Sequence, residues 1–277
     1  MTIATTPLPD GGSIPVFGLG TWMMGERADR LDAEIATLRA GLEQGVTLID
    51  TAEMYGNGGS EKMVGQAIAG RRDGLFLVSK VLPHNASRAG TIRACEQSLR
   101  RVGTDRLDLY LLHWRGQHPL AETVAAFEDL KASGKILRWG VSNFDTDDMA
   151  ELQAITDACQ ANQVLYNPSR RGIEHDLLPQ AQKAGMPIMA YSPIEQGRLA
   201  NNRTLADIAA RHQASPAQIA LAWVLRQPGV VAIPKTSRPD RVAENVQALD
   251  IRLTQADLDA IDTAFPPPTR PQPLDMI

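Results

Sequence analysis

The sequence predicts an α/β protein folded as a closed (β/α)8 TIM barrel, with an N-terminal β-hairpin and a short C-terminal helix and tail. Three observations carry that expectation. Short, nearly all-apolar runs recur along the chain, as strands buried on both faces require. Amphipathic stretches separate them, and alternating strand and helix builds a parallel sheet. Eight such units occupy about 230 residues, the size of one barrel. The rival is a doubly wound open sheet, which carries G-x-G-x-x-G after its first strand. "GLGTWM" (18–23) has two glycines and no third, and "GNGGSE" (56–61) has Glu61 where the last glycine belongs.

Taken in order, residues 1–15 contain "PDGGSIP", a hairpin-turn signal that places a cap on the barrel's bottom. The strand runs are "VFGLGT" (16–21), "VTLIDT" (46–51), "LFLVSK" (75–80), "LDLYLLH" (107–113), "ILRWGVS" (136–142), a weaker "CQANQV" (159–164), "PIMAYS" (187–192) and "VVAIPK" (230–235). Between them, "LDAEIATLRAGLEQG" repeats apolar residues at Leu31, Ile35, Leu38 and Leu42 and stops at Gly45. "AGTIRACEQSLRRVG" and "LAETVAAFEDLKASGK" also close on glycine. "SPAQIALAWVLRQPG" opens with Ser215 as N-cap and Pro216 at the first helical position. Past the eighth unit, "TQADLDAIDTAF" predicts a short helix starting at Thr254, and "PPPTRPQP" an extended tail. No linker or composition break divides residues 1–277, which read as a single domain.

Composition narrows the function classes. The 277 residues are 43 % hydrophobic and 22 % charged, ordinary for a globular chain with a large core. A net charge of −4 gives no footprint for nucleic acid or an anionic membrane. No apolar run reaches a membrane-spanning length, and "MTIATTPLPDGG" lacks the features of a signal peptide. Cys95 and Cys159 fall in segments read as helical, without metal-ligand spacing, and the expectation is reduced thiols in a cytoplasmic protein.

Side chains at the C-terminal ends of barrel strands face the active site. Those ends carry Asp50, Lys80, His113, Ser142 with Asn143, Tyr191 with Ser192, and Lys235, and Tyr55 follows Asp50 in the next loop. Each has an ordinary alternative: Asp50 as a helix cap, Lys80 as a solvated strand end, His113 as a satisfied structural histidine. Together they suggest chemistry. A phenol near pKa 10 is a poor acid at neutral pH, and an adjacent ammonium stabilises its phenolate. A carboxylate keeps that ammonium charged, and a histidine donates a hydrogen bond to a carbonyl oxygen. Asp50, Tyr55, Lys80 and His113 would then form a proton donor beside a polarised carbonyl. No obvious acyl-transfer nucleophile accompanies them, and the histidines give no metal-ligand pattern.

With those residues placed, the chain resembles an aldo-keto reductase over essentially its whole length. The motifs are "LIDTAEMYGNGGSEKMVGQAI" (48–68), "LVSKV" (77–81), "LDLYLLHW" (107–114), "GKILRWGVSNF" (134–144), "NQVLYNP" (162–168), "MAYSPIEQG" (189–197) and "AIPKTSRPDRVAEN" (232–245). "TAEMYGNGG", "SRRGIEHDLLP" and the ending "LDMI" make it most similar to bacterial members of the methylglyoxal-reductase type. The resemblance implies an NADPH-binding barrel that reduces small aldehydes and ketones. Tyr55 would be the general acid, Lys80 with Asp50 its tuning pair, and His113 the group orienting the carbonyl. It implies Ser142, Asn143 and Gln163 on the cofactor's carboxamide, Tyr191 stacked on the nicotinamide, and Ser192, Pro193, Gln196 and Gly197 along the pyrophosphate. Lys235, Thr236 and Arg241 would meet the 2′-phosphate, favouring NADP over NAD. Glu244 and Asn245 would meet the adenine, and Thr21, Trp22, Asp50, Ile233, Pro234 and Ser237 complete the cofactor contacts.

Arg238 departs from the smaller hydroxyl residue many members carry, and either adds a phosphate contact or points to solvent. Trp22, Trp114 and Tyr166, with Tyr55 and His113, fall where members line the substrate pocket, although core packing is the alternative for each aromatic. Short segments after strands 4 and 7 and a short tail imply an open, modestly selective site, and the resemblance implies a monomer. Two other functions stay open at this stage: a Schiff-base aldolase using Lys80, and an NADPH-binding sensor on the same fold.

Overall fold

The computed structural model describes residues 2–277. Strands β1 (Thr5–Pro7) and β2 (Ser13–Pro15) form the antiparallel hairpin, with Thr6 opposite Ile14. Eight parallel strands follow: β3 (Gly18–Gly20), β4 (Leu48–Asp50), β5 (Phe76–Val81), β6 (Leu109–Leu112), β7 (Trp139–Ser142), β8 (Asn162–Leu165), β9 (Ile188–Tyr191) and β10 (Val230–Ala232). They neighbour one another in sequence order. Single bridges between Phe17 and Ala232 and between Gly20 and Lys235 join the last edge to the first. There the Ala232 N–H donates to the Val16 carbonyl at 2.9 Å, and the Gly20 N–H to the Pro234 carbonyl at 3.0 Å. Closure leaves no long unpaired edge.

The helices are α1 (Leu31–Glu43), α2 (Gly59–Ile68), α3 (Arg88–Val102), α4 (Leu120–Ala132), α5 (Thr146–Gln153), α6 (Leu177–Lys183), α7 (Arg203–Arg211), α8 (Pro216–Leu225), α9 (Pro239–Gln247) and α10 (Gln255–Ala264). Their ends follow local chemistry. Ser87 accepts from the Gly90 N–H to start α3, and Gly103 ends it at φ 73°. Ser215 with Gln218, and Thr254 with Asp257, form reciprocal capping boxes at α8 and α10. None of the helices among the described residues is long and apolar enough to cross a membrane.

The strands alternate between two cores. Leu48, Phe76, Val78, Leu109, Leu111, Met189 and Val231 fill the barrel, together with Leu8 and Ile14 from the hairpin. Ile49, Leu77, Tyr110, Leu112 and Val141 point outward into the layer shared with the helices. The hairpin therefore plugs the barrel floor, as the turn signal suggests.

Three expectations need correction. Cys159 lies in an irregular segment before β8 rather than in a helix, and the sixth barrel strand begins at Asn162. The connection after β9 is not short: a 3-10 stretch (Glu195–Asn201) and the extra helix α7 precede α8. The tail, though short, contributes to the wall of the mouth. Leu274 lies against the core, Asp275 pairs with Arg170 at 3.5 Å, and Met276 and Ile277 line the cavity at the barrel mouth.

Ile14 is fully buried on the barrel floor. Ile14→Ala is expected to lower the free energy of urea unfolding by about 2–5 kcal/mol. A loss below about 0.5 kcal/mol, the range of substitutions at ordinary surface sites, would mean that the hairpin does not support the barrel.

Candidate active site

The same two-residue period that fills the barrel also builds its mouth. Counting upward by twos from interior residues gives Leu48 then Asp50 on β4, Val78 then Lys80 on β5, and Leu111 then His113 after β6. Across the barrel it gives Ala161 then Gln163, Met189 then Tyr191, and Val231, Ile233 then Lys235.

Lys80 is fully buried and donates to three acceptors: Asp50 Oδ1 at 2.7 Å, the Thr51 carbonyl at 2.9 Å and the Tyr55 hydroxyl at 3.2 Å. The second Asp50 oxygen accepts from Gln163 Nε2 at 2.7 Å. The Tyr55 ring meets His113 edge-on at 5.8 Å, and His113 lies 4.8 Å from the Trp114 ring. Asn143 donates from its amide to the His113 carbonyl at 3.1 Å and accepts from the Tyr191 hydroxyl at 3.0 Å. Ser142 donates to the Gln163 carbonyl at 2.8 Å.

Local backbone brings Tyr55 back over Lys80. Gly56, Asn57 and Gly58 all take positive φ (55°, 51° and 82°), which reverses the chain before α2 begins. At Gly58 a Cβ would also run into the Arg101 side chain. Arg101 is fixed there by its ion pair with Glu61, a fully buried carboxylate that also accepts from Ser79 Oγ at 2.6 Å.

Burial sets the protonation states. For Lys80 it opposes the charge, but Asp50 and Tyr55 outweigh it and raise the pKa, so the ammonium persists. For Tyr55, burial raises the pKa and Lys80 only partly offsets this. The sequence suggested a phenol pulled downward; in this structure burial wins, and the proton stays on oxygen at neutral pH. For His113, burial and the nearby Lys80 ammonium push the imidazole down to about 2, so it is neutral. Its buried Nδ1 makes no hydrogen bond among the described residues.

Asp50, Tyr55 and His113 lie in the wall of one cavity of about 650 Å³, and the fully buried Lys80 stands behind them, outside the lining. Thr21, Trp22, Ser192, Pro193, Gln196, Gly197, Ile233, Thr236, Ser237 and Arg238 line it as well, along with Asp50, Ser142, Gln163, Tyr191 and Lys235. Lys235 is half-buried, and desolvation lowers its pKa. The Arg238 side chain is largely exposed and pairs with Asp240, its Nε lying 3.1 Å from Oδ1. Asn143, Pro234, Arg241, Glu244 and Asn245 are not part of the lining. Arg241 instead pairs with Glu244 at 2.6 Å on α9, and Asn245 is buried.

Of the aromatic residues expected at a substrate pocket, Trp22, Tyr55 and Trp114 line the cavity and Tyr166 does not. Tyr166 is fully buried on the outside of the barrel, 5.2 Å from the Trp223 ring, and its hydroxyl donates to Glu174 at 2.6 Å. It stands three residues beyond Gln163, the wrong parity for the interior. The sequence reading also missed Gly20, Met23, Met54, Met276 and Ile277, which with Ile194 complete the wall. Met54 adjoins Tyr55 and was within reach of a sequence argument; the two tail residues belong to the "LDMI" ending that carried the family likeness, but nothing in it pointed to the cavity wall.

Barrel, buried lysine–aspartate pair and overlying tyrosine define the class; comparison with known proteins gives the family. The sequence model of the Aldo/keto reductase family matches residues 16–265. This chain belongs to that family. It is 53 % identical over 272 residues to methylglyoxal reductase YeaE of Escherichia coli (strain K12), covering 96 % of each chain. Glyoxal reductase of Bacillus subtilis (strain 168) is 37 % identical over 264 residues, covering 93 % of this chain and 91 % of its own. Among solved structures, an aldo/keto reductase from Klebsiella pneumoniae in complex with NADP and acetate superposes over 100 % of both chains, with TM-score 0.96 and 50 % identity.

The neutral His113 generates a pH dependence. The folded protein refuses a proton there until about pH 2, whereas the unfolded chain binds one below about 6.5. Proton uptake by the unfolded state lowers stability, so stability falls as pH drops below that value. The expected slope from this residue is up to about 1.4 kcal/mol per pH unit. Urea unfolding at about pH 7 and about pH 5 should show a smaller acid-induced loss for His113→Gln than for the parent. Equal losses would mean that His113 is not held neutral.

Proposed function

We propose that this protein reduces small aldehydes and ketones with NADPH, 2-oxoaldehydes such as methylglyoxal among them, and that Tyr55 is its general acid. The observation that carries the reading is the Lys80 ammonium, fully buried and bonded at once to Asp50 and to the Tyr55 hydroxyl. The names of its relatives support the same substrate class.

The cavity's chemistry fits the cofactor. Lys235 is an ammonium half-desolvated in the wall, with hydroxyls on Thr236 and Ser237 beside it. An anionic phosphate would restore what burial removes. Ser142 and Gln163 line the wall and, with Asn143, would hold the carboxamide, and Tyr191 offers a ring face beside them. Bound there, NADPH supplies a hydride to the carbonyl carbon.

The chain's residues do the rest. Tyr55 keeps its proton until the carbonyl oxygen gains negative charge, then donates it. Lys80 stabilises the phenolate left behind, and Asp50 keeps Lys80 charged. Neutral His113 orients the carbonyl oxygen by hydrogen bonding. The aldolase alternative needs an uncharged lysine to attack a carbonyl, which the Asp50 pairing opposes. Buried, free cysteines support a cytoplasmic setting, and one closed barrel that takes up the chain from β3 to β10 supports a single domain.

Tyr55→Phe is expected to retain NADPH binding, followed by fluorescence, while turnover of methylglyoxal falls by about 10²–10⁴-fold. Undiminished turnover would remove Tyr55 from the acid role. Lys235→Ala should raise the Kd for NADPH about tenfold and leave that for NADH nearly unchanged. Equal losses for both cofactors would place the 2′-phosphate elsewhere.

A further inference from the structure

Five of the large hydrophobic side chains at the cavity wall are exposed: Trp22, Met23, Met54, Met276 and Ile277. Three are methionines, 55 %, 45 % and 52 % exposed in that order. They come from the loop after β3, the loop after β4 and the tail, so the fold brings them together from distant parts of the chain. The other methionines among the described residues, Met24, Met63, Met149, Met186 and Met189, are buried. The thiols offer no competing target. Cys95 and Cys159 are both buried, and desolvation pushes each up to about 12, which leaves almost no thiolate at neutral pH. Among the described residues, the sulfur that an oxidant meets first is therefore thioether, and the exposed thioethers all stand around the mouth of one cavity.

We propose that Met23, Met54 and Met276 are modification sites for peroxide, and that their oxidation weakens binding of carbonyl substrates bearing apolar substituents. The second half rests on the function proposed above. In each step the thioether sulfur attacks one peroxide oxygen. A sulfur–oxygen bond forms, the oxygen–oxygen bond breaks, and the second oxygen leaves as water with both protons of the peroxide. Sulfur loses two electrons and the peroxide gains them. The product sulfoxide is polar, and methionine sulfoxide reductases reverse it.

The consequence is selective. An apolar substituent at the mouth lies against methionine side chains, and sulfoxides there would be hydrated and would exclude it. The chemistry below is untouched, because Lys80, Asp50 and His113 are all buried. Oxidation should therefore act on KM rather than kcat. It should act more on hexanal, with its alkyl chain, than on methylglyoxal, which is small and polar.

The test treats the full-length protein with hydrogen peroxide, removes the oxidant, maps sulfoxides by peptide mass spectrometry, and measures NADPH consumption with both aldehydes. The three methionines should oxidise at least about tenfold faster than the five buried ones. KM for hexanal should rise about threefold or more, with kcat little changed and KM for methylglyoxal shifted far less. Methionine sulfoxide reductase should restore the starting value. In M23L/M54L/M276L, whatever its own starting KM, peroxide should cause no further change.

Oxidation spread evenly over all methionines, or directed to the cysteines, overturns the site assignment. Sulfoxides at the three positions with an unchanged KM for hexanal, or an equal rise in the triple variant, overturn the effect on substrate. If no aldehyde is reduced at all, the reductase reading fails by itself. The sulfoxide map still decides the first half, and hexanal binding read by tryptophan fluorescence before and after peroxide decides the second.

Discussion

A lysine ammonium has three protons to donate, and Lys80 places all three inside the protein, on Asp50, the Thr51 carbonyl and Tyr55. Much of the mouth's geometry follows from that requirement. Moving a charge out of water costs several kcal/mol unless a partner and further hydrogen bonds compensate. Asp50 supplies the countercharge from the neighbouring strand, and its second oxygen is satisfied from across the barrel by Gln163. Tyr55 supplies the third acceptor only because three left-handed residues fold the chain back. The same arrangement sets the phenol's protonation: burial keeps the proton on Tyr55, and the ammonium beneath only partly offsets that.

Much of this was legible in the sequence because a strand's side chains alternate. Once Leu48, Val78 and Leu111 are read as barrel interior, Asp50, Lys80 and His113 must enter the same space two residues later. An apolar run that ends on a polar residue of interior parity is thus a strong pointer to a mouth. Tyr166 shows what happens when parity is ignored. It sits among family-like motif residues, yet it is an odd number of steps from Gln163 and belongs to the packing between β8 and α8. Helix α7 escaped for a related reason: a count of one helix per strand has no place for it. Its buried stripe of Leu205, Ile208 and Ala209 is ordinary amphipathic sequence.

What the sequence could not disclose is how burial competes with charge. Residue types name Lys80 as a neighbour that lowers the pKa of Tyr55, but the direction depends on how completely water is excluded, which only the fold determines. Exposure is hidden in the same way. Met54 and Met63 are nine residues apart in similar company, and one stands at the cavity mouth while the other is wholly buried. The tail is a third case. Asp275 looks like any acidic residue near a terminus until Arg170 is seen to hold it, which brings Met276 and Ile277 against the wall.

Backbone strain is distributed in a way that separates floor from mouth. Among the described residues, seven other than glycine have positive φ: Met23, Asn57, Asn143, Ser192, Glu195, Gln196 and Gln213. All but Gln213 lie in loops that follow barrel strands at the mouth. Such conformations cost of order 1–3 kcal/mol each and persist only where neighbours overdetermine them. The neighbours are identifiable. Asn143 is tied to the His113 carbonyl and the Tyr191 hydroxyl, and buried Glu195 is tied to Asn167 at 2.7 Å and to Arg170. Arg170 in turn reaches Asp275, so one guanidinium couples the strained loop after β9 to the tail. The barrel interior carries no comparable strain, because its apolar layers repeat a regular strand geometry. Asp50, Lys80 and His113 therefore rest on the regular part of the fold, where position is fixed by the pleat, whereas Tyr55 is placed by a loop with three positive-φ residues. Much of the wall around them is made of loops whose conformations are held by a few ion pairs and hydrogen bonds.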